Sequence, residues 1–382
     1  MKKLSYLIIA IVVVCLISVC FIGCAEKADG TVVVTDLMNR EVSVTPGSYS
    51  RVLCLGAGAL RLYSYVGDVS LLCGVEAIDN TTAENRPVMF DGVSRPYQMA
   101  FADTFNTLPI CGIGGPNDQK PNYDKILECN PDIIITQYSD KDVVNTMQST
   151  LNIPVVAVAI SDADVFGQKF QESLLLLGKI FNKSERATEL NTFVDSQLSL
   201  IEMKVNSIDV AAQKKVYICG LGNWGTTNEL MTAQNYGLFN VAKINNVVTG
   251  LTKDGIQGIE AEKFMDLAPN MDIIILDAAA VKNIKGKADN IARLQATKAW
   301  QDGEVYLEMA YNAYYTNIEI ALINTWFAAK SVYPDLFTDI DIEAKTTEIT
   351  TAFLGKDLNA AIKAKPQSFG GYQKINTATF FA

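Results

Sequence analysis

The chain has 382 residues, of which 49% are hydrophobic and 19% charged, so it is long enough for two domains and too apolar to be disordered. Its formal net charge of −10 argues against a nucleic-acid partner, because phosphate binding needs a basic face. The sequence contains no histidine, which excludes histidine-based zinc sites, Ser-His-Asp triads and histidine general bases.

The N-terminal segment 1–24, MKKLSYLIIAIVVVCLISVCFIGC, predicts an export signal, since two lysines precede an uncharged apolar run. Its last four residues, FIGC, resemble the lipobox of bacterial and archaeal lipoproteins. That resemblance implies cleavage before Cys24 and a lipid on Cys24. An uncleaved anchor helix is the alternative, because about 20 apolar residues can span a bilayer. Both interpretations place the protein outside the cytoplasmic membrane, at the cell surface or in the periplasm, and attach it to the membrane.

The first half of the remaining chain predicts alternating strands and helices. SRVLCLGAGAL (50–60) combines an apolar strand with a glycine-rich turn. YDKILECNPDIIITQ (123–137) predicts a short helix that a proline terminates, followed by a β-branched strand of the kind that is covered on both faces. NIPVVAVAI (152–160) predicts the last strand of this half.

A helical region without proline follows at 166–208. Apolar residues recur there at helical spacing, which predicts one helix at about 168–181 and a longer one at about 185–206. Ser184 is the predicted N-cap of the longer helix. At 1.5 Å per residue that helix would be about 30 Å long, enough to bridge two lobes.

The second half repeats the first. KKVYICGLGNW (214–224) matches the first strand and its glycine-rich turn, and AEKFMDLAPNMDIIILD (261–277) matches 123–137 with two extra residues before the isoleucine run. GEVYLEMA (303–310) predicts a last strand. The duplication therefore predicts two similar α/β lobes with parallel sheets.

Five cysteines remain after the N-terminal segment, an odd number without CxxC spacing. This pattern predicts small buried hydrophobic side chains rather than a disulfide framework or a zinc site. We expect no metal ligand set and no resident cofactor. The five are Cys54, Cys73, Cys111, Cys129 and Cys219.

In their order and spacing these segments resemble the class III solute-binding proteins of ABC importers, which deliver iron–siderophore complexes, haem or cobalamin. VTDLMNREVSV (34–44) resembles the opening hairpin of that family, 51–75 its first strand–helix–strand unit, and LLLLGKIFNKSERATELNTFVDSQL its linking helix. PNYDKILECNPDIII and IEAEKFMDLAPNMDIII resemble its paired lobe motifs.

The resemblance implies an α/β fold with two Rossmann-like lobes, joined by a long rigid linking helix, and a ligand cleft between the lobes. We expect an N-terminal lobe at 32–165, linking helices at 166–208 and a C-terminal lobe at 209–382. Ligands of open α/β sheets bind at the carboxyl ends of the strands, so the cleft residues are sought in the loops that follow the strands.

Those loops contain aromatic residues beside glycine, asparagine and threonine, and tyrosine and tryptophan suit a large amphipathic ligand. Core packing is the alternative interpretation for each. Arg61 and Arg95 are candidate cations for ligand carboxylate or catecholate oxygens; the alternative for Arg61 is a solvated helix residue. The aromatic candidates are Tyr97, Tyr138, Trp224, Tyr311, Tyr314 and Tyr315.

Asp124 and Glu262 occupy the same position in the two duplicated motifs. In the family, one acidic residue per lobe at this position binds a basic pocket of the membrane permease, so the resemblance implies that role for both. The alternative is an ordinary acidic residue at a helix start, where the helix dipole favours it.

The predicted function is therefore solute capture without catalysis, for an importer permease and its ATPase, by a protein that we expect to be a monomer. We favour an iron complex, either a siderophore complex or haem, and a corrinoid such as cobalamin is the alternative within the same importer class. An exported enzyme acting on a metal complex and an adhesion lobe are alternatives of other classes. The sequence shows no GxSxG, HExxH or P-loop motif that would favour the enzyme.

Overall fold

The computed structural model describes residues 30–87, 95–115, 119–161, 164–222 and 227–382. Strands and helices alternate over most of this length, which confirms the predicted α/β class. The strands are β1 (Val32–Thr35), β2 (Glu41–Val44), β3 (Val52–Leu55), β4 (Val75–Glu76), β5 (Ile110–Gly112), β6 (Ile133–Thr136), β7 (Val155–Ala157), β8 (Lys215–Cys219), β9 (Met231–Gln234), β10 (Asn245–Asn246), β11 (Gly255–Gly258), β12 (Ile273–Asp277), β13 (Val305–Glu308) and β14 (Gln373–Lys374).

The helices lie mainly between the parallel strands and after the last of them. They are α1 (Ala59–Val66), α2 (Pro96–Phe105), α3 (Tyr123–Cys129), α4 (Lys141–Leu151), α5 (Gln168–Ile180), α6 (Ser184–Lys204), α7 (Gly237–Val241), α8 (Ala261–Leu267), α9 (Ala278–Lys285), α10 (Ala288–Gln295), α11 (Lys298–Gln301), α12 (Ile318–Val332), α13 (Ile342–Leu354) and α14 (Asn359–Ala364).

The N-terminal lobe contains a parallel sheet in which β6 lies between β3 and β7. A parallel bridge from Val52 to Leu72 connects β3 with the segment that leads into the parallel pair β4–β5. The antiparallel hairpin β1–β2 precedes this sheet. All four residues of β6 are buried, as expected for a central strand covered on both faces.

The C-terminal lobe repeats this plan. Its central strand β12 lies between β8 and β13 and is parallel to both. All five residues of β12 are buried. β10 extends the sheet in parallel and β14 closes it in antiparallel orientation. The two isoleucine runs are thus the central strands of two sheets, as the duplication predicted.

The duplicated units differ in how their helices begin and end. In the N-terminal lobe the side chain of Asn122 caps α3 by accepting a hydrogen bond from the backbone N–H of Lys125, and Asn130 ends the helix in the left-handed conformation. In the C-terminal lobe α8 continues into a 3₁₀ turn, Ala268–Asn270. The two extra residues of the second motif are accommodated in that turn.

The linking region forms the two predicted helices, α5 and α6, with ends within two residues of the predicted ends. The N-cap prediction is wrong: α6 begins with Ser184 as its first helical residue, and Lys183 occupies the N-cap position without a side-chain cap. The left-handed Asn182 ends the turn between the helices and shifts the start by one residue. The 21 residues of α6 correspond to about 30 Å.

Helix α6 contacts both lobes. The guanidinium of Arg186 donates to the carbonyl of Tyr65 in the N-terminal lobe (3.1 Å) and to the carbonyl of Phe353 in the C-terminal lobe (3.1 Å). Farther along, the side-chain oxygen of Gln197 accepts from the indole N–H of Trp326 (3.0 Å). Because one uninterrupted helix makes these contacts, it lacks the loop hinges that large domain closures use.

Across the described ranges, no helix is both long enough and apolar enough to cross a membrane. The predicted export signal and Cys24 lie outside the described residues.

Candidate functional site

The lobes meet at the carboxyl ends of their strands. We call this contact the lobe interface: Arg61, Tyr65 and Glu76 on the N-terminal side, and the loop and helix start at 313–319 on the C-terminal side. Arg61 and Tyr65 lie on α1, which follows β3, and Glu76 ends β4. The segment 313–319 follows β13. This is where the strand order of open α/β sheets predicts a ligand site.

A glycine-rich turn connects β3 to α1. Gly56 and Gly58 have φ values of +85° and +93°, which side-chain-bearing residues rarely adopt. A Cβ on Gly56 would lie 2.8 Å from the ring of Tyr138. The absence of side chains lets the turn pack against the end of β6, and the backbone N–H of Gly56 donates to a carboxylate oxygen of Glu76 (3.1 Å).

Arg61 crosses the lobe interface and is fully buried. Its Nε donates to Oδ1 of Asn317 (2.9 Å), and its Nη2 donates to the carbonyls of Ala313 and Tyr314 (both 2.9 Å). The guanidinium carbon lies 4.8 Å from the ring centroid of Tyr97. The alternative of a solvated helix residue is wrong, because the side chain is enclosed by the opposite lobe.

Among the described residues, Nη1 of Arg61 has no hydrogen-bond partner, and neither has Oε1 of Gln137. A Cβ on Gly58 would lie 3.5 Å from the first atom and 2.4 Å from the second. Two polar atoms without partners thus converge on a glycine at the lobe interface. Their hydrogen-bonding capacity is available to a third group at this point.

Tyr314 crosses the interface in the opposite direction. Its hydroxyl donates to Glu76 (2.7 Å) and accepts from the backbone N–H of Gly115 (3.1 Å), while its ring packs with Ala57 and Ile78. Burial raises its pKa well above the usual value. Tyr314 and Tyr315 are successive left-handed residues, at φ 55° and 61°, a combination that costs backbone energy and occurs at functional sites.

A second cross-lobe pair joins Tyr65, one turn after Arg61 on α1, to Glu319 in the first turn of α12. The hydroxyl of Tyr65 donates to a carboxylate oxygen of Glu319. Burial raises the pKa of Glu319, while the Tyr65 hydrogen bond and the nearby Arg61 charge oppose that rise. The interface therefore combines a cation, a carboxyl group and neutral donors in a dry environment.

Arg95 and Tyr97 lie in the N-terminal lobe, and both contact the carboxylate of Asp79. Arg95 Nη1 is 3.1 Å from Asp79 Oδ1, and the Tyr97 hydroxyl donates to the same oxygen at 2.5 Å. Burial raises the pKa of Asp79, against the lowering effect of Arg95. This cluster holds the ring of Tyr97 against Arg61 and so supports the interface from within its own lobe.

The remaining aromatic candidates occupy different positions. Tyr138 is buried against Gly56. Tyr311 is buried, and its ring centroid lies 6.3 Å from that of Tyr236. Tyr315 packs at the edge of the cluster of Ala57, Ile78 and Tyr314. Trp224 lies outside the described residues.

The C-terminal side of the site contains two buried carboxyl groups that the sequence analysis did not single out. Asp277 ends β12 and Glu308 ends β13. Burial raises the pKa of Asp277 to about 7, although two backbone N–H groups oppose the shift. Burial and then Asp277 raise the pKa of Glu308 well above its usual value. The available signal was an acidic residue at the last position of an otherwise apolar strand.

Asp124 and Glu262 lie in the first turns of α3 and α8, and both are exposed. Helices that precede a parallel strand begin at the edge where that strand ends. The two carboxylates therefore lie on the cleft side of their lobes, in equivalent positions. Their predicted contact with a permease stays a prediction.

The five cysteines are free and buried, as predicted, and burial raises the pKa of the Cys219 thiol well above its usual value. Among the described residues, no group of three or more cysteine, aspartate and glutamate side chains is arranged to hold a metal ion.

A family model described as periplasmic binding protein matches residues 91–307. The molybdate-binding protein MolA of Haemophilus influenzae is 22% identical over 260 residues, which cover 61% of this chain and 69% of MolA. The structure of MolA bound to molybdate, the periplasmic binding protein of an ABC transporter, has a TM-score of 0.65 at 17% identity and covers 85% of this chain and 98% of MolA.

Two further solved structures have the same fold. A periplasmic solute-binding protein from Veillonella parvula has a TM-score of 0.66 at 18% identity, covering 92% of this chain and all of that one. A periplasmic haem-binding protein from Pseudomonas aeruginosa has a TM-score of 0.51 at 16% identity, covering 75% of this chain and 93% of that one. Chains with this fold are thus known to bind ligands as different as an oxyanion and haem.

Proposed function

Because the chain belongs to the periplasmic binding protein family, we propose that it captures an iron complex, a ferric siderophore or haem, for an ABC importer. Like other periplasmic binding proteins of ABC transporters, it would deliver this solute to a membrane permease and its ATPase. In this proposal the chain is a monomer that binds one solute and is attached to the membrane through Cys24.

One observation carries the proposal. Polar atoms that have no partner in the described part of the chain lie beside the lobe interface on both sides: Nη1 of Arg61 and Oε1 of Gln137 on the N-terminal side, and Oε1 of Glu308 on the C-terminal side. Buried polar groups normally have partners, and leaving one unpaired costs about 1–3 kcal/mol. A solute between the lobes would supply the missing hydrogen bonds.

The charges near the interface favour a metal complex over a bare oxyanion. Glu76, Asp79 and Glu319 are buried there with two cations, Arg61 and Arg95, and the two strand-end carboxyls of the C-terminal lobe add further acidity. A dianion such as the molybdate that MolA binds would meet this excess of acidic groups. A complex whose metal ion offsets its own oxygen ligands is better matched.

The aromatic residues fit the same class of solute. Tyr97, Tyr311, Tyr314 and Tyr315 are placed in or directly behind the interface, where tyrosine offers both ring area and a polar tip. A corrinoid needs the same kind of wall and is the second candidate. For haem without histidine, Tyr314 or Tyr311 would supply an axial oxygen, and Tyr314 would first have to leave Glu76.

We propose binding without turnover as the mode of action. The five cysteine thiols are buried, and a buried thiol with a raised pKa is a poor nucleophile. Tyr65 and Arg61 engage Glu319 and Asn317 across the interface, which favours a device that closes on a solute. The alternative of an exported enzyme predicts a product that appears with time when a metal complex is supplied.

The test is an absorption spectrum of the protein purified from its native cells, followed by titration of the solute-free protein with ferric catecholate, ferric hydroxamate, haemin, cyanocobalamin and sodium molybdate. The proposal expects one equivalent of an iron complex with a Kd of micromolar or below. Binding of molybdate alone would assign the chain to the ligand class of MolA, and binding of the corrinoid alone would select the second candidate. Conversion of any complex into a product would establish an enzyme instead.

A further inference from the structure

Two carboxyl side chains lie side by side on the C-terminal sheet. Asp277 and Glu308 are the last residues of β12 and β13 and are partners in the parallel register of these strands. Paired residues of adjacent strands project from the same face of a sheet. The exposed fractions of Asp277 and Glu308 are 0% and 1%, so the two acidic groups share a dry space behind the lobe interface.

Neither carboxyl group is neutralised by a side chain in an ion pair within the described part of the chain. Asp277 accepts from the backbone N–H groups of Ala279 (2.7 Å) and Gly222 (3.4 Å), and Oε1 of Glu308 has no partner among the residues that the structure describes. By contrast, Glu229, a buried carboxylate of the same lobe, lies 2.6 Å from a guanidinium nitrogen of Arg293. The lobe therefore pairs one buried acid with a cation and leaves the strand-end pair without one.

The hydroxyl of Tyr236 provides a second and independent observation. It is buried, and within the described residues no group donates a hydrogen bond to its oxygen. Its pKa is raised by burial first, and then by the nearby Tyr311 and Glu308, with a smaller effect from Asp277. The ring centroid of Tyr236 lies 6.3 Å from that of Tyr311, which follows Glu308 by three residues, so its hydroxyl belongs to the same end of the sheet. Together with the two acidic groups it offers oxygen acceptors to a group that brings several donors.

The backbone beside Asp277 is connected to the contact with the opposite lobe. A Cβ on Gly222 would lie 3.3 Å from the Cβ of Ala279 and 3.1 Å from the carbonyl oxygen of Asn312, so the backbone of Gly222, which donates to Asp277, packs closely against the segment of Asn312. Asn312 belongs to the loop that Tyr314 attaches to Glu76. Separation of the lobes would pull on this loop, which connects access to the carboxyl pair with opening of the interface.

We propose that Asp277, Glu308 and Tyr236 form a subsite that receives a protonated primary amine of the solute. An ammonium group has three N–H donors and no acceptor, which matches three oxygen-bearing side chains with unused accepting capacity. Its charge would offset the buried acidity, and charge-assisted hydrogen bonds are the strongest kind available here. The subsite rests on the proposed function, since it assumes that a solute enters between the lobes.

The first test compares two ferric trihydroxamate complexes that differ only in one pendant group, a free primary amine in one and its N-acetyl derivative in the other. The wild-type protein should bind the amine complex about tenfold or more tightly, which corresponds to one or two charge-assisted hydrogen bonds. Equal affinities, or tighter binding of the acetylated complex, would overturn the subsite while leaving the iron-complex function intact.

Glu308→Gln supplies the matched variant, since it keeps the shape and removes the acid. It should reduce the preference for the amine complex to about onefold, because it weakens binding of the amine complex more than binding of the acetylated complex. Glu304→Gln is the control, because Glu304 immediately precedes the same strand at its opposite end and is paired with Lys374 (2.8 Å). Glu304→Gln should retain the full preference; loss of preference in both variants would contradict the assignment. Circular dichroism of each variant establishes that it is folded.

A second measurement needs no iron complex. Methylammonium chloride should raise the thermal midpoint of the wild-type protein above that in tetramethylammonium chloride at equal concentration, and Glu308→Gln should abolish the difference. If no iron complex of the titration binds and this difference is present, the proposed iron-complex function fails and the amine subsite stands. Absence of the methylammonium effect, together with absence of amine preference, overturns the subsite.

Discussion

The two duplicated units, α3–β6 and α8–β12, are alike at the starts of their helices and differ where their strands end. Both helices begin with an exposed acidic residue, Asp124 or Glu262, and both strands are central and fully buried. At the strand ends the likeness stops: β6 is followed by Gln137, whereas β12 ends in the buried Asp277. The matching acidic residues at the helix starts are suited to a partner that contacts both lobes alike. The differing residues at the strand ends are suited to an asymmetric solute.

The largest expected effect concerns the acidic residues at the two helix starts. Asp124→Ala combined with Glu262→Ala should leave solute affinity unchanged and reduce uptake in reconstituted vesicles by more than tenfold. Removal of one charge from a desolvated interface pair typically costs about 2–5 kcal/mol, and each lobe would lose one contact. Asp289→Ala, an acidic residue in the first turn of α10, is the control for helix-start charge. Normal uptake by the double variant, or a parallel fall in affinity, would make these residues ordinary helix-start or cleft acids.

The next effect concerns Arg61, on the N-terminal side of the lobe interface. Arg61→Met should destabilise the protein by about 3 kcal/mol, because the buried Asn317 oxygen and two carbonyls lose a charged donor. The same change should increase the radius of gyration, since Arg61 connects the lobes. Chemical denaturation and small-angle scattering measure the two quantities. Arg51→Met is the control, because the Arg51 guanidinium binds carbonyls within its own lobe; equal expansion in both variants would remove the connecting role from Arg61.

On the C-terminal side, Asp277 should make the stability of the protein depend on pH. Burial raises the pKa of Asp277 from 3.8 to about 7, so the unfolded chain releases this proton at lower pH than the folded protein. Stability should therefore decline as pH rises from 4 to 7, by about 1.4 kcal/mol per unit at most for one such group. Asp277→Asn should flatten this slope and raise stability at pH 8. An unchanged slope would show that Asp277 is not held in a protonated state.

The smallest effect concerns the strained loop. Tyr314→Phe removes a hydroxyl that bonds Glu76 and the Gly115 amide and should cost about 1–2 kcal/mol. If solute competes with this hydroxyl for the interface, the variant should bind haemin or ferric catecholate as tightly as the wild type or more tightly. Tyr123→Phe is the control, because Tyr123 packs against a separate apolar cluster of the N-terminal lobe and not against the Tyr314 cluster. A loss of affinity specific to Tyr314→Phe would make this hydroxyl a solute ligand.

The helix-and-strand pattern was largely predictable from the sequence because local signals agreed with the fold. The two isoleucine runs form strands, as predicted, and α3 ends before the proline that follows it. The helical spacing of Leu190, Val194 and Ile201 corresponds to the observed helix α6. The start of α6 was misassigned because the left-handed turn at Asn182 leaves no signal that distinguishes one N-cap position from the next. Propensities alone do not resolve helix ends to one residue.

The site was less predictable, because its contacts join residues far apart in the chain. Arg61 lies in a helix that shows no sign of contact with Asn317 until the lobes are brought together. The predicted aromatic residues lie near the interface where they are described, but their partners Glu76 and Asp79 could not be identified from spacing. The carboxyl pair was missed because one acidic residue at a strand end is common, and only the strand register makes Asp277 and Glu308 neighbours.

Hydrogen–deuterium exchange with and without the bound iron complex tests most directly whether the solute lies between the lobes. The solute that copurifies with the protein, or the tightest-binding ferric complex of the titration, serves as the probe. Binding should slow exchange in the loops at 56–61, 113–115 and 311–317 together, and leave α6 unchanged. Protection confined to one lobe, or centred on the outer surface of α6, would contradict a binding site at the lobe interface.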